Sequence, residues 1–293
     1  MRDLRRLACS AAACSAAGLL AIGAVKAGAS PTSTVWSVLA VRQPRPQETP
    51  FEDRTRYLRP SEDVDSVAGP DGLRAVVRTD DEHHARVFVE DARAGTTSLL
   101  LDAWTCMPRW SPDGRWIACS VWRSIKRHGD LTIVDAHARA PVIDPDAAAS
   151  LSDMKWSPDS RTIAADGGAY DHPGTLLYTV AIPSGTVSVL DTCATFSDYD
   201  FSWSPNSRWI AFARPTAVDP VGGDPIAADL WVVEPATGRK QQLLVTPDWI
   251  EGRPLWITDR TIQIDQVRWN GDEWEGERLR VVELTPPEDS GSR

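Results

Sequence analysis

Asp65, Asp153 and Asp200 each stand three residues before the same point of a repeated sequence unit. Met107 and Arg253 hold that place in two further copies, and Asp198 lies close by. Carboxylates that converge with room for water can hold a hard cation such as Ca²⁺. They can equally receive a basic group from a partner, or pair with Arg253 and cap strand ends. Asp65, Asp153 and Asp200 are therefore candidate metal ligands, with Ca²⁺ the one cofactor they suggest. Together with Arg253 they form a candidate binding site.

A second candidate set lies on three long loops, residues 121–129, 166–174 and 214–228. These carry His128, Tyr170, Asp171, His172, Asp219 and Asp224. Loops gathered at one end of a rigid scaffold are where binding residues concentrate. His128, Tyr170, His172 and Asp224 are the expected contacts there. No catalytic residue is expected. The five histidines, at 83, 84, 128, 137 and 172, are scattered without metal-ligand spacing. The chain has no Gly-x-Ser-x-Gly elbow, no phosphate loop, no His-Glu-x-x-His and no Cys-x-x-Cys.

What would position these residues is the repeat itself. Trp110-Ser111-Pro112-Asp113-Gly114-Arg115-Trp116-Ile117-Ala118 is nearly copied by Trp156-Ser157-Pro158-Asp159-Ser160-Arg161-Thr162-Ile163-Ala164. It returns as Trp203-Ser204-Pro205-Asn206-Ser207-Arg208-Trp209-Ile210-Ala211. The tryptophans are 46 and 47 residues apart. Weaker copies begin at Ala68 and Trp256. A period of about 40–50 residues marks a β-propeller. Ser-Pro-Asp-Gly suits a tight turn, because proline presets φ and glycine closes it. A β-rich run follows each turn, then a loop, a second run and a third. One unit thus reads as a four-stranded blade.

These motifs resemble the TolB-type propeller repeat, a Trp-Ser-Pro-Asp-Gly turn followed by a short apolar strand. The resemblance covers residues 65–284. It implies an all-β propeller of about five blades, with six as the alternative. The motif residues are structural, so the resemblance implies little about activity. TolB proteins also carry a separate N-terminal domain, and residues 30–64 are too few for one.

The fifth unit lacks its outermost strand, and residues 34–41 are a β-prone orphan. Pairing the two would close the ring and remove an exposed edge. Residues 30–64 are then a closing strand with a Pro-rich connector, and residues 285–293 a polar tail. Trp110, Trp156, Trp203 and Trp256 share one repeat position and should pack between blades; Trp116 and Trp209 share another. Trp104, Trp122, Trp249, Trp269 and Trp274 lie off the pattern. Exposed, they could stack on sugars or anchor a protein; buried, they add blade packing.

The N-terminus reads as an export signal. Arg2, Arg5 and Arg6 precede a charge-free stretch over residues 7–25, and Ala27 and Ala29 suit a cut before Ser30. Cleavage gives a secreted or periplasmic protein; an uncleaved segment gives a membrane-tethered one. No later segment is long and apolar enough to span a bilayer. The whole chain carries a net charge of −10, and residues 30–293 carry 27 basic and 40 acidic residues. That balance argues against a nucleic-acid partner. In an oxidising compartment Cys106 and Cys119 fall opposite one another, if the hairpin around the Ser111–Gly114 turn pairs residues summing to 225. Cys106–Cys193 is the rival pairing. The function expected is a monomeric, non-catalytic scaffold that binds a protein, peptide or other ligand through its loop face. The alternative is a lyase or hydrolase with a metal-assisted site at the acidic channel mouth.

Overall fold

The computed structural model describes residues 35–45, 66–69, 72–79, 85–103, 108–121, 130–137, 140–143, 150–168, 174–193, 199–218, 225–246, 249–269 and 274–287. Twenty strands and no helix are present among them. β1 (Ser37–Arg42) precedes three separate four-stranded sheets. The first holds β2 (Ser66–Ala68), β3 (Leu73–Thr79), β4 (Ala85–Asp91) and β5 (Thr96–Ala103). The second holds β6 (Arg109–Trp110), β7 (Trp116–Val121), β8 (Asp130–Asp135) and β9 (Ala140–Ile143). The third holds β10 (Asp153–Trp156), β11 (Thr162–Gly168), β12 (Thr175–Ala181) and β13 (Val187–Cys193). Each is an antiparallel meander in chain order.

The fourth unit is β14 (Phe201–Trp203), β15 (Ile210–Val218), β16 (Pro225–Glu234) and β17 (Arg239–Leu244). The fifth is β18 (Ile250–Thr258), β19 (Thr261–Trp269) and β20 (Trp274–Thr285). A parallel rung between Ala228 and Ile250 merges these two units into one eight-stranded sheet. β1 pairs antiparallel with β20, from Ser37 opposite Thr285 to Arg42 opposite Val281. The orphan strand therefore lies beside the last strand of the chain, as its sequence suggested. Leu39 is bulged out of that ladder.

The repeat turn is explained by its hydrogen bonds. Ser111 N–H donates to the Trp116 carbonyl, and Gly114 N–H to the Ser111 carbonyl. Ser111 Oγ donates to Asp113 Oδ1 and accepts the Trp116 N–H. Asp113 Oδ1 also takes the Arg115 N–H. The same five bonds recur around Ser157 and around Ser204. The fourth turn residue must adopt a left-handed backbone: φ is 73° at Gly114, and 61° at both Ser160 and Ser207. Serine is strained there, yet each hydroxyl does what a glycine cannot. Ser160 Oγ accepts the Asp113 N–H and Ser207 Oγ accepts the Asp159 N–H. Each thereby joins its turn to the turn of the preceding unit.

Tryptophans carry the packing between units. Trp110, Trp156, Trp203 and Trp256 each enter the apolar cluster shared with the preceding unit. Trp116 and Trp209 enter the cluster shared with the following one. The indole N–H of Trp156 reaches the Arg109 carbonyl, and that of Trp203 the Lys155 carbonyl, both at 3.0 Å. A Cβ on Gly69 would come within 2.6 Å of the Trp110 ring, so glycine there admits the indole. Trp36, just before β1, is buried between Trp209 and Trp256, with ring centroids 5.2 and 5.6 Å away. Gln241 clamps its backbone from both sides at 2.8 Å.

The structure corrects the cysteine register. Arg109 pairs with Ala118 and Trp110 with Ile117. The hairpin closes on Ser111 and Trp116, two residues wider than a Ser111–Gly114 closure. Continuing that ladder, Cys119 falls opposite position 108, not Cys106. Cys119 is a buried free thiol and Cys193 is buried also; Cys106 lies outside the described residues. The register summing to 225 thus does not hold where the hairpin is described, and the Cys106–Cys119 pairing itself lies outside the described residues.

Candidate functional site

In every unit the innermost strand starts at the end where the second strand finishes. This is the end opposite the repeat turns. Asp153 opens β10, Asp200 immediately precedes β14, and Arg253 lies near the start of β18. Asp65, His128, Tyr170, His172 and Asp224 lie outside the described residues, as do Met107, Asp198, Trp104 and Trp122.

Strand starts leave backbone N–H groups without ladder partners, and carboxylates satisfy them here. Asp153 Oδ1 accepts the Met154 N–H, and its Oδ2 is 3.2 Å from Lys155 Nζ. Asp200 Oδ2 accepts the Arg253 N–H at 3.0 Å. Asp166, at the end of β11 and without exposed surface, accepts the N–H groups of Asp153 and Tyr199 at 2.8 and 2.9 Å. The two described aspartates of the predicted metal set are thus engaged separately. No group of three His, Cys, Asp or Glu among the described residues is placed to hold a metal ion.

A buried charge network lies between the third and fourth units. Asp191, whose side chain is 1% exposed, accepts from three donors. Tyr199 Oη lies at 2.9 Å and Arg214 Nε at 2.7 Å, and Lys240 Nζ completes the set. Burial and the Asp191 charge push the Tyr199 hydroxyl far above the ordinary phenol range. Burial opposes the charge on Arg214, but Asp191 outweighs it and holds that guanidinium more firmly protonated.

A second charged corner lies between the fourth and fifth units. β18 is bulged between Gly252 and Leu255, and Arg253 there has φ 44°. A bulge re-aims a side chain. Arg253 Nη2 is turned to Asp265 Oδ2 at 2.5 Å and to Glu277 Oε1 at 2.9 Å. Burial raises the Asp265 carboxyl despite the Arg253 charge, and Glu277 and Asp200 add to the rise. Behind it, Glu251 has no exposed surface. Burial pushes its carboxyl up to about 7 against hydrogen bonds from Thr246 and Gln266, and Asp229 adds to the rise. Arg278 sits 3.5 Å over the Trp249 ring, so this off-pattern tryptophan has a partner within the chain. Trp269 and Trp274 are backbone partners in the β19–β20 register.

Sequence reasoning placed Asp200 and Arg253 together, although through the arginine backbone. It missed Asp166, Asp191, Tyr199 and Glu251. Only Glu251 had a local signal, a lone acid following Ile250 in an otherwise strand-like run.

No protein-family model matches the chain, and no curated protein matches it. Solved structures do. The β-propeller domain of the Trilobed protease from Pyrococcus furiosus, described as an open velcro topology, aligns with TM-score 0.50 and 16% identity over 72% of this chain and 70% of that one. An oligogalacturonate lyase from Vibrio parahaemolyticus aligns with TM-score 0.50 and 11% identity over 76% of this chain and 65% of that one. TolB from Acinetobacter baumannii aligns with TM-score 0.43 and 14% identity over 74% of this chain and 53% of that one. The chain shares the β-propeller fold with the first two; at these identities the likeness is one of fold alone.

Proposed function

We propose that the chain is an exported propeller of five four-stranded blades, with β1 as the outermost strand of the last, that binds a protein or peptide partner. The partner meets the end where the second strands finish, through the connections after β7, β11 and β15, residues 122–129, 169–174 and 219–224. These are shorter than the sequence suggested, because β11 runs to Gly168 and β15 and β16 take up 214–218 and 225–228. The observation that supports this reading is the use of the carboxylates there. Asp153, Asp166, Asp191 and Asp200 each accept donors from the chain's own strands. A frame tied in this way holds its loop roots rigidly, which suits recognition by loops.

β11 offers a direct test, because its two ends reach opposite faces. A photoreactive side chain at Tyr170, in the loop after β11, is expected to form covalent adducts with an envelope or secreted protein in the producing cell. The same group at Arg161, in the repeat turn before β11, is expected to form none. Adducts only from position 161 would move the interface to the turn end, and adducts from neither would overturn the binding reading.

A further inference from the structure

Two carboxylates flank the rung that joins the fourth and fifth units. Ile250 pairs with Ala228, the only backbone rung between these units among the described residues. Glu251 follows Ile250 on β18, and Asp229 follows Ala228 on β16. Glu251 Oε1 accepts a 3.2 Å bond from Gln266 Nε2, while its buried Oε2 has no hydrogen-bond partner among the described residues. Asp229 accepts from Gln242 Nε2 at 2.6 Å.

The charged groups around the rung are already engaged. From β20, Arg278 bonds Gln266 Oε1 at 2.9 Å and stacks on Trp249. From β15, Arg214 is held by Asp191. On β18 itself, Arg253 is turned to Asp265 and Glu277. From β19 the facing group is the neutral amide of Gln266. A negative charge on Glu251 meets burial first and Asp229 across the rung, with the Arg278 guanidinium only a partial counter-charge, and it lacks a hydrogen bond on one oxygen among these groups.

We propose that the β16–β18 junction is a proton-held seam, in which the proton on Glu251 keeps the two units joined and its loss weakens the Ala228–Ile250 rung. This device is independent of any partner. Its working range follows from burial, which holds the carboxyl near 7 when the seam is closed. An opened seam would return it to about 4.3, the ordinary value for a glutamate. The closed state then binds the extra proton, so closure is favoured below the lower value and lost as pH rises through the upper one.

Hydrogen exchange of the intact protein reads this locally. Protection of residues 225–234 and 250–258, corrected for the chemical exchange rate, is expected to fall roughly tenfold per pH unit between about pH 5 and 7 and then level off. Residues 162–168 in the third unit should keep their protection. Glu251→Gln is expected to remove the fall at the seam. Should that variant fail to fold, Asp229→Asn, which removes the opposing charge, is expected to diminish the fall. An unchanged fall in the folded variant, no fall in the natural protein, or an equal fall at residues 162–168 would each overturn the proposal.

Discussion

Trp36→Ala is expected to destabilise the protein by roughly 3–5 kcal/mol, the usual cost of emptying a buried tryptophan site. Only 4% of Trp36 is exposed. Its ring fills the space between Trp209 and Trp256 at the seam of the fourth and fifth units. Most of β1 beyond it is exposed or half-exposed, with Val38 and Leu39 open to solvent. Trp36 is therefore the main apolar anchor of the segment. Arg42 adds an ion pair to Glu283 at 2.6 Å. Such a partly exposed pair is worth only about 0–1 kcal/mol. Urea unfolding at neutral pH measures the loss. A change below about 1 kcal/mol would mean that β1 is not docked as the structure shows.

Asp191→Ala is expected to cost a similar amount, about 3–5 kcal/mol, for a different reason. The substitution removes the buried acceptor and leaves the buried Tyr199 hydroxyl and the partly exposed Arg214 and Lys240 side chains without it. The cost is the desolvation of groups that no longer have a counter-charge, more than the loss of an attraction. Because the Asp191 carboxylate is buried, the effect should persist in 1 M salt, where surface pairs are screened. Urea unfolding of both proteins at low and high salt tests this. A loss under about 1 kcal/mol, or one that salt abolishes, would reduce the network to an ordinary surface pair.

The fold was legible because the repeat writes its own hydrogen bonds. Ser111, Asp113 and the residue at 114 are each required by a turn whose donors and acceptors are local. The place of the orphan strand could be read because the last unit was one strand short. The candidate site was less legible. Asp191 finds its partners 8, 23 and 49 residues away, on the segment before β14, on β15 and on β17. No local pattern announces such a meeting. The repeat position of Asp153 and Asp200 placed them at the starts of the innermost strands, where the structure has them. Position alone could not tell that a backbone donor already engages one oxygen of each. The hairpin register behind the disulfide reading missed the turn width, since the Ser111 hydroxyl holds Trp116 and spreads the hairpin by two residues.

The central claim is that the described carboxylates at the strand-start end, Asp153 and Asp200, serve the frame. Melting residues 30–293 with chelator, without it, and with added Ca²⁺, alongside metal analysis of the purified protein, tests it most directly. The expected result is one melting temperature in all three conditions and no stoichiometric metal, because Asp153 and Asp200 already accept from the chain's own donors. A bound metal at one per chain, with a melting temperature that falls on chelation and returns with Ca²⁺, would contradict the claim. It would turn attention to a metal-assisted lyase or hydrolase at the same end.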